Sequence, residues 1–308
     1  MKMPFTDIPV RKMLKNSILF LAALFILSEP QPAACQQWQE IKGDHFIVYH
    51  SYPQDARSSN KSRIEDFGKE VARRAEIYYG RIAIDLGYPR YSEFWTWDKR
   101  VKIYLYPDKD SFIKASSQPY WSEGMADYTN KKILGFYGSR GFLYSVLPHE
   151  IAHLIFRDFV GFKSDIPLWL DEGVAQWEEE KKRGELSAYA RDLLNKNSFL
   201  SLEDMMGLDV RHIVTKDNVY MRQSRSLKGE PVVMFLTGEI LVNTYYIQAA
   251  SLAGFMINKY GSESFAEFCR QLRDGKEVKD AILSVYYTHI RSLEEFEDEW
   301  VKYVAESG

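Results

Sequence analysis

Two cysteines in 308 residues cannot staple a fold. There is no disulfide framework to read, and the core must come from apolar packing. Export would permit a bridge between Cys35 and Cys269, but a buried Cys269 thiol within FAEFCRQLRDG is the plainer reading. An excess of one charge is also missing. The chain sets 40 basic against 43 acidic residues with no long single-sign run, which speaks against a nucleic-acid surface and leaves small or peptidic partners. Apolar material is plentiful, at 45% hydrophobic and 15% aromatic residues, so a substantial core is expected.

The amino terminus has its own composition. Lys2, Arg11, Lys12 and Lys15 precede the apolar run ILFLAALFIL at 18–27, which leads into SEPQPAAC. This layout predicts a secretory signal over residues 1–34 and an exported protein, periplasmic or extracellular. The run is well short of the roughly 20 residues that a membrane span needs. Cys35, after Ala33 and Ala34, resembles the lipobox cysteine of bacterial lipoproteins, although Pro32 stands where such boxes carry Leu. Two fates stay open: lipidation of Cys35 with tethering to a membrane, or ordinary cleavage nearby.

Further on, DHFIVYHSYP at 44–53 and VKIYLYP at 101–107 predict strands. Between them SRIEDFGKEVARRAEIYYGRIAIDLG predicts a long helix stopped at Gly87. GMADYTNKKILGFYG predicts a strand or hairpin turning near Asn130, and from Phe142 onward the periodicity is helical. Residues 208–232 are polar and irregular and predict a loop region between two helical groups.

Within the first helical pattern, LPHEIAHLIF places His149 and His153 four residues apart, on one face of a helix and one turn from each other. Two imidazoles so placed can share one metal ion. Glu150 is offset beside them, where it can act as a base rather than a ligand. Eighteen residues separate His153 from Glu172 in WLDEGVAQWEEE, a second helical pattern. Packed against the first helix, it would add a carboxylate and complete a two-histidine, one-glutamate zinc site. Two readings of Asp171 stay open: a carboxylate that orients a ligating histidine, or an exposed helix carboxylate. Pro148, directly before His149, predicts a late start or a local bend in the helix.

HEIAH, the eighteen-residue gap and WLDEG together resemble the gluzincin metallopeptidases, in particular their aminopeptidase N-like branch and the peptidase MA-like families. The likeness is specific across 147–177 and covers 38–306 in outline. It implies an α+β fold: a zincin-like part over 36–165 with a small mixed sheet and the H-E-x-x-H helix, then a mainly helical part over 166–306. It also implies zinc held by His149, His153 and Glu172, with Glu150 as general base to the zinc-activated water and a peptide or protein as substrate. In this clan a tyrosine or histidine from the following helical part often supplies the oxyanion donor. Tyr246, in a Y-x-Q segment with Gln248, is the candidate, and Tyr245 competes with it. The aminopeptidase branch captures the substrate amine with a glutamate in G-x-M-E-N; here the comparable stretch reads GMADY, with Asp127 as a shorter carboxylate. Endopeptidase activity is therefore favoured. A second function class stays open, a zincin-like binding or envelope-assembly module with little turnover.

Overall fold

The computed structural model describes residues 38–306 apart from 54–56, 89–94, 96–98, 162–165, 214–216 and 226–229. Residues 1–34, read as a secretory signal, and Cys35 lie outside the described residues.

The fold is α+β, with a small mixed sheet followed by a mostly helical part. Strands β1 (Trp38–Lys42), β2 (Phe46–Ser51), β3 (Val101–Tyr106), β4 (Gly124–Asp127) and β5 (Lys132–Phe136) form a sheet in the order β1-β2-β3-β5-β4. The inner pairs β2–β3 and β3–β5 run parallel, and the two edge strands are antiparallel to their neighbours. Period-2 alternation sends Phe46, Val48, Val101, Ile103 and Ile133 into the main core. There they meet Val71, Ala75 and Ile82 of helix α1 (Ser58–Asp85). Tyr106, Leu134 and Phe136 point to the other face, covered by Phe112 of α2 (Lys109–Ser116).

The metal-helix pattern occupies α3 (Leu147–Val160), and the oddity of Pro148 resolves just before it. Residues Phe142–Val146 form a π-helical turn, in which the Leu147 N–H reaches back to the carbonyl of Phe142. Proline has no N–H and its ring crowds the carbonyl four residues earlier. A widened turn relieves that crowding, so the helix neither starts late nor breaks. The turn is fastened to the sheet by Phe142, whose ring lies over Gly124 and Gly135, paired residues of β4 and β5. A Cβ on Gly135 would come within 2.5 Å of that ring, so only glycine allows the contact.

Helix α4 (Leu168–Trp177) carries the second half of the motif, followed by α5 (Arg183–Asn195) and α6 (Leu202–Gly207). The 208–232 expectation needs correction, because β6 (Val219–Arg225) and β7 (Pro231–Thr237) form an antiparallel hairpin there. Its apolar residues were deceptive. Met234 and Leu236 are buried while Met221, Val233 and Phe235 are exposed. β7 is thus apolar on both faces and the end of β6 polar on both, which erases the inside–outside alternation.

The long helix α7 (Gly238–Arg273) runs through the core, with a break in helical geometry at Gly261, where φ is +83°. It is apolar and long enough to cross a membrane, yet 89% of its most apolar window is buried within the protein, as befits a core helix. Helices α8 (Val278–Val285) and α9 (Leu293–Glu306) complete the chain.

Helix α4 lies against α7 at very short range. A Cβ on Gly173 would sit 2.4 Å from the Ala249 carbonyl oxygen, and one on Gly254 2.6 Å from the Trp177 ring. Gly173→Ala is therefore expected to destabilise. Alanine gains about 1 kcal/mol of helix propensity over glycine, but the clash is with backbone and costs more than the ~1–3 kcal/mol typical of overpacking. Urea unfolding checks this; a midpoint equal to or above wild type would contradict it.

Candidate metal centre

Helices α3 and α4 bring together the three residues that the motif singled out. One ligand atom from each of His149, His153 and Glu172 lies within 4.8 Å of the others. The two Nε2 atoms are 3.1 Å apart, and each is 3.8 Å from an oxygen of Glu172. Two ligands bound to one ion at ~2.0–2.1 Å with a tetrahedral angle lie about 3.4 Å apart. The Nε2–Nε2 separation is just below that value, and the nearest Glu172 oxygen to each ring, Oε2 for His149 and Oε1 for His153, is just above it. Both histidines are buried, and Glu172 is 12% exposed at its side chain.

The other ring nitrogens decide what these Nε2 atoms can do. His149 Nδ1 lies 3.1 Å from Glu179 Oε1, and His153 Nδ1 2.8 Å from Asp171 Oδ1. An ionised carboxylate only accepts, so each Nδ1 carries the hydrogen and donates it. In the neutral imidazole each Nε2 then keeps a lone pair. Two such lone pairs facing one another at 3.1 Å repel unless a proton or a metal ion lies between them. Two imidazoles and one carboxylate are a donor set that suits zinc.

The carboxylates that orient the histidines are themselves anchored. Burial raises the Asp171 carboxyl, but His153 and then Arg157 outweigh it and hold it below the ordinary aspartate range. Arg157 donates to Asp171 Oδ2. Glu179 accepts from Ser145, inside the π turn, and from Lys182. Burial opposes its charge as well, yet Lys182 and His149 keep it below the ordinary glutamate value. Beside it, burial pushes the Glu178 carboxyl up to about 7 against the pull of Arg183 and Arg81, which ties the end of α4 to α1. At Glu172 burial wins: its carboxyl is pushed up to about 8, with Asp171 and Glu150 adding to the rise and His149 and Arg157 opposing it.

Glu150 stands beside this group, only 1% exposed. Its Oε2 accepts a 2.5 Å hydrogen bond from Tyr128, in the turn between β4 and β5. Burial, and after it the Glu150 charge, pushes the Tyr128 phenol well above its ordinary value and keeps it a donor. Asp127, one residue earlier, is engaged elsewhere. Its carboxylate accepts from the Asn130 backbone at 3.1 Å and from the Asn130 side chain at 2.7 Å, closing the turn.

Tyr246 and Tyr245 lie buried on α7. Burial raises both phenols; the strongest charge acting on Tyr246 is Glu172, whereas on Tyr245 it is Asp209. The Glu172 charge acts on both phenols. Gln248 of the same segment has a structural task, clamping the Leu200 N–H at 2.6 Å and its carbonyl at 3.0 Å. Sequence reasoning missed Glu179, Arg157 and Tyr128. Glu179 lies just past the end of α4, so helical spacing from Glu172 did not place it.

No protein-family model matches the chain, and no curated protein matches it in sequence.

Proposed function

We propose that the protein is a zinc-dependent metallopeptidase of the gluzincin type, exported from the cytoplasm and hydrolysing peptide bonds in a peptide or protein. The observation that carries this reading is the pair of Nε2 atoms 3.1 Å apart with Glu172 beside both. His149, His153 and Glu172 would hold the ion. Three protein ligands rather than four are typical of catalytic zinc sites. When bound, zinc supplies Lewis acidity, polarising a carbonyl and making a water easier to deprotonate.

The chain's own groups divide the remaining work. Glu150 accepts the proton of the attacking water and passes it to the leaving amine. Asp171 and Glu179 hold the two imidazoles in the tautomer that offers Nε2. Tyr246 is the candidate donor for the developing oxyanion, and Tyr245, on which the Glu172 charge also acts, competes with it. Endopeptidase action is favoured because Asp127, where the aminopeptidase branch would capture a free amine, spends its carboxylate on Asn130. The exported setting rests on the basic and apolar character of the first 34 residues.

Metal analysis combined with peptide-library digestion tests the reading. The purified mature chain is expected to carry stoichiometric zinc and to cleave internal peptide bonds. Chelation should abolish cleavage and zinc should restore it. Cleavage untouched by chelation, or a chain that takes up no zinc, would refute the proposal.

A further inference from the structure

We infer that the Tyr128 hydroxyl is the positioning group of the base, pinning one oxygen of Glu150 so that the other faces the substrate water. The inference rests on the metallopeptidase reading above and deepens it.

Local sequence sets the placement. Asp127 ends β4 and caps the following turn through Asn130, and Lys131 closes it with a left-handed φ of +51°. The turn delivers residue 128 to α3 rather than to solvent. There the Tyr128 hydroxyl meets Glu150 Oε2 at 2.5 Å.

The ring is held on two further sides. The Arg157 guanidinium lies over its face, 4.8 Å from the centroid, and the His153 ring meets it edge-on at 5.5 Å. Arg157 is fixed in turn by Asp171, which also orients His153. The phenol therefore sits in a closed circuit of Arg157, Asp171 and His153, with little freedom to swing away. Glu150 has a flexible side chain, and a base must stay within hydrogen-bond reach of the proton it takes. A hydrogen bond from a locked donor restricts that side chain to one arrangement. The second oxygen is left to the substrate water.

Tyr128 on this account acts through Glu150 and does not touch the substrate. A misplacement of about 1 Å can cost ~100-fold in rate. Tyr128→Phe keeps the ring contacts and removes one oxygen. It should retain zinc and its melting temperature, with kcat lowered roughly 10- to 100-fold and KM unchanged. Activity alone does not separate positioning from direct contact with the oxyanion. The deciding measurement is calorimetric affinity for a peptide hydroxamate, a zinc chelator whose hydroxyl a neighbouring carboxylate accepts. It is made on the zinc-loaded wild type, Tyr128→Phe, Glu150→Ala and the double variant. Tyr128→Phe should weaken hydroxamate binding about tenfold when Glu150 is present and leave it unchanged in the Glu150→Ala background, which has no acceptor for the phenol, as coupled residues do. Wild-type kcat and hydroxamate affinity in Tyr128→Phe would overturn the inference, and so would an equal loss in both backgrounds. Undiminished turnover in Glu150→Gln would instead bring down the metallopeptidase reading itself.

Discussion

Glu150→Gln is expected to retain zinc and lose nearly all peptide hydrolysis. The substitution preserves shape at a buried position, 1% exposed, so packing around α3 is undisturbed. Its amide oxygen can still accept from Tyr128, whose bond to Oε2 is 2.5 Å long. The metal-holding group of His149, His153 and Glu172 does not include it. What disappears is basicity, since an amide cannot take a proton from water near neutral pH. General acid–base catalysis contributes ~10²–10⁴-fold, and the fall should appear in kcat. Single-turnover rates and metal content measured on one preparation decide the matter. Loss of zinc together with activity would make Glu150 a structural or ligating residue; undiminished turnover would remove it from the mechanism.

Much of this site was legible because a helix converts sequence spacing into direction. A spacing of four from His149 to His153 put both rings on one face, and nothing further was needed to expect Nε2 atoms near each other. The α+β layout, the mixed sheet and the helical second half were expected along with it. The partners of the other ring nitrogens were harder to see. Asp171 was accessible as the neighbour of Glu172. Glu179 was not sought, because its contact with His149 depends on how α4 ends and on a π turn that supplies Ser145. That turn left only one trace in the sequence, a proline in an unexpected place.

Tyr128 was hidden for a different reason. The stretch GMADY drew attention to its carboxylate, because a carboxylate was the group to look for. The structure spends Asp127 on the turn and brings the next residue to Glu150. Such an exchange between neighbours is invisible to composition: it depends on which side chain the turn uses and which it presents. The β6–β7 hairpin shows the same limit on a larger scale, since apolar residues on both faces of β7 carry no inside–outside signal.

Glu172→Gln should uncouple the fold from its metal, and this is the second large effect expected. In the proposed site Glu172 would supply the negative ligand, with one oxygen 3.8 Å from His149 Nε2 and the other 3.8 Å from His153 Nε2. An amide keeps the volume and removes the charge. Loss of an outer partner already costs ~10–100-fold in metal affinity, and loss of an anionic ligand should cost more. The metal-free chain has little reason to suffer, because Glu172 shares its surroundings with Glu150 and Asp171, whose charges oppose its own. Its neighbour Gly173, where α4 meets the Ala249 carbonyl, is untouched. The two effects separate in a thermal scan. Zinc at ~100 times its Kd stabilises a folded chain by about 2.7 kcal/mol, a rise of roughly 5–10 °C in Tm for a domain of this size. Wild type should show that rise, whereas Glu172→Gln should melt close to the metal-free wild type with or without zinc. An undiminished zinc-induced rise in the variant would exclude Glu172 as a ligand, and a large fall in the metal-free Tm would make it chiefly a packing residue.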